Sequence, residues 1–388
     1  MRLLADSPSM EFLRREAKDL LHVLRASDGG ATLASAQRAL AEEYGFRTWS
    51  ALKAEVDRRR AEIPRAPDGL AEGVASEFGL GAVTAPMTPI RYEYMGRRWE
   101  LTTGRGRFVV RPVFDWIDDR QAEVAVDLQE RARTSCVRSP VPVRTPDGGL
   151  VRRVLDQSWR VDDWVDLGPT PVEPVPSDVA RHVGVVLAAV HEVAPPTDRP
   201  MQGPWVSPAD RPTEDLWRAL VARVRGAEMP WSDDLAALRR PIEELSEVTA
   251  EPPRGSMVVS NCDIGVEQVR MGPGGELVVL HWDFAGPMVP EWELATTLFH
   301  WTQRGSNLES ARALSDGYRD RRGHLPSLGL GSFSPVITGW LTWLLHRAWE
   351  ASDPEPSEKR DFAEQSVAEV LDEPLTVGRL HALLGAAE

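Results

Sequence analysis

The chain has 388 residues, 42% hydrophobic and 27% charged, an ordinary globular balance with length for two or three folding units and a substantial core. Lys and Arg number 45 against 59 Asp and Glu, and the resulting net charge of −14 repels phosphate backbones and anionic lipid, so no nucleic acid and no membrane is expected as a main partner. No apolar run approaches the roughly 20 residues of a membrane span, no secretory core follows residues 1–4, and Cys136 and Cys262 lie too far apart for metal-ligand spacing, so a reduced cytoplasm is the expected location.

Residues 1–62 read as a small helical unit. Leu13, Ala17, Leu20, Leu21 and Leu24 form one stripe of a first helix that ends before Asp28-Gly29-Gly30. Thr32 caps a second helix, which Gly45 closes after Tyr44, and Thr48 caps a third with Trp49, Leu52 and Val56 on its inner face. The segment YGFRTWSALKAEV resembles a short helical module found at the front of bacterial proteins, and the unit is expected to dock or stabilise rather than to carry chemistry.

Residues 63–88, rich in Ala, Pro and Gly, read as a linker. The pattern then turns to β: short runs at 90–94, 99–103 and 107–113, separated by Gly96-Arg97 and Gly104-Arg105-Gly106. A helix over 122–135 follows, then two strands about Pro146-Asp147-Gly148-Gly149, with the second running through 159–167 to Gly168-Pro169. From Ser177 the chain is mainly helical, with Val179, Val183, Val186, Leu187 and Val190 as a core stripe.

The densest run lies between 257 and 295: MVVSNCDIGVEQVRMGPGGELVVLHWDFAGPMVPEWELA. It reads as a strand, a tight loop carrying Asp263, a hairpin closed by Gly272-Pro273-Gly274-Gly275, a second strand, a loop carrying Asp283 and a helix from Glu291. This layout resembles the catalytic core of the aminoglycoside phosphotransferase family, where H-x-D-x-x-x-x-N precedes a hairpin and I-D-W-[ED]-x-A-G-P. WELTTGRGRFVVR, WRVDDWVDLGP and GWLTWLLHRAWEA extend the resemblance over residues 89–388. It implies an α+β, two-lobed protein-kinase-like fold, with a β-rich small lobe at 89–168 and a helical large lobe at 169–388.

The resemblance also implies roles, residue by residue. Asp263 stands where the family keeps the carboxylate that accepts the proton of the attacking hydroxyl. Asn261 replaces the family's His, Gln268 the Asn that binds the second metal, and His281 the metal-binding Asp. Glu267, beside Gln268, is a substitute ligand. Asp283 lies two residues beyond His281 and faces the same way if the strand persists, so a metal site shifted onto Asp283, Gln268 and His281 is expected. His281 would favour manganese over magnesium.

Arg111 takes the place of the strand lysine that pairs with nucleotide phosphates, with Glu123, or else Glu130, as its counter-ion. Gly96 is the one small residue in the loop that should cradle those phosphates. The cofactor implied is ATP or GTP with Mg or Mn. Two functions follow: an O-phosphotransferase acting on a hydroxyl of a natural product or peptide, and a pseudokinase whose cleft binds a peptide, a metabolite or a partner enzyme.

Overall fold

The computed structural model describes residues 13–388 apart from 14–15, 19, 22–23, 26–30, 47, 62–63, 94–95, 115–116, 169, 172–173, 202–212, 254 and 355–357. The chain forms two compact units, Met1–Pro112 and Val113–Glu388.

The first unit opens with the expected helical module. Helix α1, Leu33–Glu43, is capped by Thr32, whose hydroxyl accepts from the Ser35 N–H. Gly45 then takes φ +82°, the left-handed conformation that closes a helix at least cost to glycine. Thr48 accepts from the Ala51 N–H at the start of α2, Trp49–Ala61. Leu13 and Ala17 are buried with Leu40, Ala41, Tyr44, Leu52 and Val56, so the module has a small core of its own. Leu24 and Leu21 of the predicted stripe are less buried.

The stretch expected as a linker holds a helix, α3, Leu70–Glu77, with Leu70, Val74 and Ala75 buried. Its Ala-rich composition, taken for a breaker, pays no side-chain entropy in a helix. Phe78 and Leu80 are buried after it, and the Leu80 carbonyl accepts from the Thr103 hydroxyl. Three strands complete the unit as an antiparallel meander: β1, Thr88–Glu93, β2, Gly96–Thr103, and β3, Gly106–Pro112.

The second unit begins with α4, Asp119–Thr134, which starts three residues earlier than expected because the Asp118 carboxylate accepts from the Gln121 N–H. A hairpin follows, β4, Arg152–Val154, with β5, Gln157–Asp163. Its turn places Leu155 and Asp156 at φ +50° and +61°, the left-handed pair that suits the twist of a tight hairpin.

Two helices carry the core of this unit, α5, Ser177–Val193, and α10, Leu308–Arg322. They cross where each has a glycine. A Cβ on Gly184 would lie 2.0 Å from the Leu314 carbonyl oxygen, and one on Gly317 would lie 2.0 Å from that of Arg181. The backbones therefore touch. Helices α6, Glu214–Gly226, α7, Ser232–Ala237, α8, Arg239–Glu247, and α9, Pro290–Trp301, precede α10 in the chain. Helices α11, Ser334–Ala351, α12, Glu358–Asp372, and α13, Val377–Ala387, close the chain. Trp282, Trp301, Tyr318, Phe333 and Leu344 are fully buried in one continuous core. Among the described residues no helix is long and apolar enough to cross a membrane.

Candidate functional site: a chain of paired charges beside a cavity

Two short antiparallel strand pairs hold the site. Strand β6, Val258–Ser260, pairs with β9, Gly286–Met288, and β7, Val269–Met271, pairs with β8, Leu277–Val279. The loop between β6 and β7 carries Asp263, and the loop between β8 and β9 carries His281 and Asp283.

The first loop is fixed from three sides. The Asn261 carboxamide oxygen accepts from the Asp263 N–H at 2.9 Å, while its Nδ2 donates to the His281 carbonyl at 2.8 Å. Asn261 is fully buried, so it clamps one loop to the other. The Trp301 indole donates to the Ile264 carbonyl at 2.7 Å. The Glu293 carboxylate accepts from the Cys262 N–H at 2.7 Å and faces His191 Nε2 at 2.8 Å, and His191 Nδ1 lies 2.8 Å from the Tyr318 hydroxyl. Cys262 itself sits at φ +66°, a strained conformation for a side chain with a Cβ, and these contacts hold it there. Burial pushes its thiol well above the ordinary range, so it is inert at neutral pH.

The expected strand through His281 and Asp283 stops at Val279. The two residues still meet, because the chain turns at Asp283–Phe284. His281 Nδ1 lies 2.7 Å from Asp263 Oδ2, and Nε2 lies 3.4 Å from Asp283 Oδ2. Asp283 Oδ1 in turn receives a hydrogen bond from the Arg160 guanidinium on β5. The sequence Asp263, His281, Asp283, Arg160 is thus an alternating chain of acids and bases. The Nδ1 contact is a hydrogen bond, and the Nε2 contact is at ion-pair range. With His281 protonated, two carboxylates meet two cations.

The other expected residues fall as follows. Gln268 ends a short 3₁₀ turn, its carbonyl accepts from the Leu280 N–H at 2.9 Å, and its buried Oε1 has no hydrogen-bond partner among the described residues. Glu123 is taken by Arg144, whose guanidinium donates to it through two nitrogens and holds its carboxyl below the ordinary range. Arg111 is buried on β3. Gly96 opens β2 opposite Glu93, and residues 94 and 95 of the expected phosphate loop lie outside the described residues.

Arg160, Arg144 and the His191–Tyr318 pair were not anticipated. Each left a trace. Arg160 alternates with the apolar Trp159 and Val161 in WRVDDW and shares its strand face with Asp162, and a charge enclosed there requires a partner. His191 continues the stripe Val183, Leu187, Val190 by one helical step.

Asp263 opens onto a cavity of about 380 Å³, the size of a small-molecule site. Its wall includes Phe284, Met288, Phe299, Trp340 and Trp343, and Asp263 is the only carboxylate lining it among the described residues. The Asp263 side chain is 29% exposed, enough for a ligand hydroxyl to reach it.

The profile of the phosphotransferase enzyme family matches residues 87–326, more than half of the chain. The chain belongs to that family. The curated proteins give no match in sequence. Among solved structures, spectinomycin phosphotransferase in complex with ADP and spectinomycin is similar over 82% of this chain and 99% of its own, at 13% identity and a TM-score of 0.61. The aminoglycoside phosphotransferase of Alicyclobacillus acidocaldarius is similar over 84% and 96%, at 16% identity and a TM-score of 0.52. An amicoumacin kinase bound to AMP-PNP and Ca2+ is similar over 84% and 96%, at 10% identity and 0.52. The likeness establishes the two-lobed, protein-kinase-like α+β fold expected from the sequence.

The family implies a divalent metal, and the donor set of this member does not fit one. Magnesium asks for near-octahedral oxygen ligands, carboxylates among them. Here both nitrogens of His281 face acids, and Asp283 lies in a buried ion pair with Arg160. Gln268 Oε1 is one neutral donor. Arg160, and His281 when it is protonated, place positive charge beside Asp263 and Asp283.

Proposed function

We propose that this family member is a pseudokinase: its cavity beside Asp263 binds a small molecule, and metal-dependent phosphoryl transfer is not assembled. One observation carries the reading, the chain Asp263–His281–Asp283–Arg160. Phosphoryl transfer relies on positioned charge, above all on metal ions that neutralise the developing phosphate negative charge. A site whose carboxylates are already neutralised by fixed side chains has no electrostatic reason to recruit such an ion. The loop around Asp263 is nonetheless held by Asn261, Glu293 and Trp301, as a ligand site needs.

The second reading, an O-phosphotransferase on an alcohol with ATP or GTP and Mg or Mn, is favoured by the orphaned Gln268 Oε1 and by the access of Asp263 to the cavity. In that reading Asp263 is the base, Asp283 and Gln268 or His281 hold the metal, and Arg111 and Gly96 meet the phosphates. Turnover assays with ATP and GTP, with either metal and a panel of alcohols, separate the two. The pseudokinase reading expects no phosphorylated product. Turnover that falls by about a hundredfold or more in Asp263→Asn, the usual loss on removing a positioned base, would establish the phosphotransferase.

A further inference from the structure

The cavity also says what kind of molecule it takes. From its wall we infer that its ligand is a hydroxylated, largely apolar compound bearing an anionic group, and not a polycation; this rests on the reading of the cavity as the ligand site.

The charge of the wall is the first argument. A polyamine ligand needs several carboxylates. The wall offers only Asp263 among the described residues, and that carboxylate is already paired with His281 at 2.7 Å. Arg199 and Arg304 also line it. Arg304 is engaged by Glu369, donating to its carbonyl at 2.9 Å and lying 3.8 Å from its carboxylate. Arg199 is exposed, and its guanidinium makes no ion pair among the described residues. Among the described residues the wall thus holds two guanidiniums, one of them paired with Glu369, against the single carboxylate of Asp263, although the whole chain is at −14.

The aromatic surface is the second argument. Trp340 and Trp343 sit one helical turn apart on α11, and Phe299 on α9 lines the same cavity. An aromatic cage for a quaternary ammonium needs open ring faces. The Trp343 ring is already stacked under the Arg347 guanidinium at 4.3 Å to its centroid. The ring stack is then best used as apolar wall. Trp340 contributes in addition a buried indole N–H with no acceptor among the described residues, a donor suited to a ligand oxygen.

The test uses three probes of one chain length on the full-length protein: 12-hydroxydodecanoate, 1,12-dodecanediol and 12-aminododecanol, by calorimetry at neutral pH. The carboxylate should bind at least about tenfold more tightly than the amine, with the diol between them. Arg199→Ala should bring the carboxylate down to the level of the diol. Gly339→Leu, which fills the cavity from α11, should abolish binding of all three and so exclude adsorption elsewhere. Tightest binding of the amine, or no binding of any probe, would overturn the inference. Phosphorylation of a bound probe by ATP would instead sink the pseudokinase reading and leave the ligand class standing.

Discussion

Arg160 and Asp283 form an ion pair with only 1% and 4% of their side chains exposed. A buried pair is weak evidence for stability as a pair, but removing one partner strands the other charge. Arg160→Met or Asp283→Leu alone should lower the stability of the larger unit by about 3–5 kcal/mol. The double replacement should lose much less than the sum, because it leaves neither charge behind. Urea unfolding followed by tryptophan fluorescence measures all three. Strictly additive losses would mean that the pair is not coupled as the structure has it.

The crossing of α5 and α10 gives a prediction of a different kind. With Leu314 and Arg181 carbonyl oxygens 2.0 Å from the Cβ positions of Gly184 and Gly317, an added methyl meets backbone, which cannot rotate aside. Gly184→Ala or Gly317→Ala should therefore cost about 3 kcal/mol or more, the upper range of overpacking, although alanine is the better helix former. Gly378→Ala on α13, with nothing within 4 Å of the added carbon, is the control and should be neutral or mildly stabilising. A harmless Gly184→Ala would show that the helices do not approach this closely.

Tyr318 supplies a pH dependence. Burial pushes its hydroxyl from 10.0 up to about 12. A folded-state pKa raised above the unfolded one gives stability that is complete below pH 10 and is lost as pH rises toward 12. Tyr318→Phe gives up the bond to His191 Nδ1 and should be less stable at pH 8. Its thermal midpoint should then fall less steeply than that of the native chain between pH 10 and 12. Parallel curves for the two would place the titration elsewhere.

How much of this was legible in the sequence follows from what each feature depends on. Local chemistry was readable: the Thr32 and Thr48 caps, the Gly45 stop, the meander and the loop order around Asp263 are set by residues within a few positions of one another. Composition misled at 63–88, where Ala and Gly were read as a linker and Leu70, Val74 and Ala75 instead bury a helix face. The pairing of charges was not readable, because it is decided across long separations. Glu123 meets Arg144, 21 residues on, and Asp283 meets Arg160, 123 residues back. Alternation along a strand correctly suggested that His281 and Asp283 belong together, yet they meet in a turn beyond the strand end.

The central claim is that fixed side chains occupy the electrostatic place of the metal. It is tested most directly by the thermal midpoint of the native chain with ATP, in EDTA and then with Mg2+ or Mn2+, beside the same series for His281→Asp/Gln268→Asn. A ligand that binds only the folded state raises the midpoint. The native chain should show no metal-dependent rise. The double variant, with three carboxylates facing Arg160 alone, should melt lower in EDTA and recover by several degrees when metal is added, since oxygen ligands have been restored. A metal-dependent rise in the native chain as large as that of the variant would contradict the account.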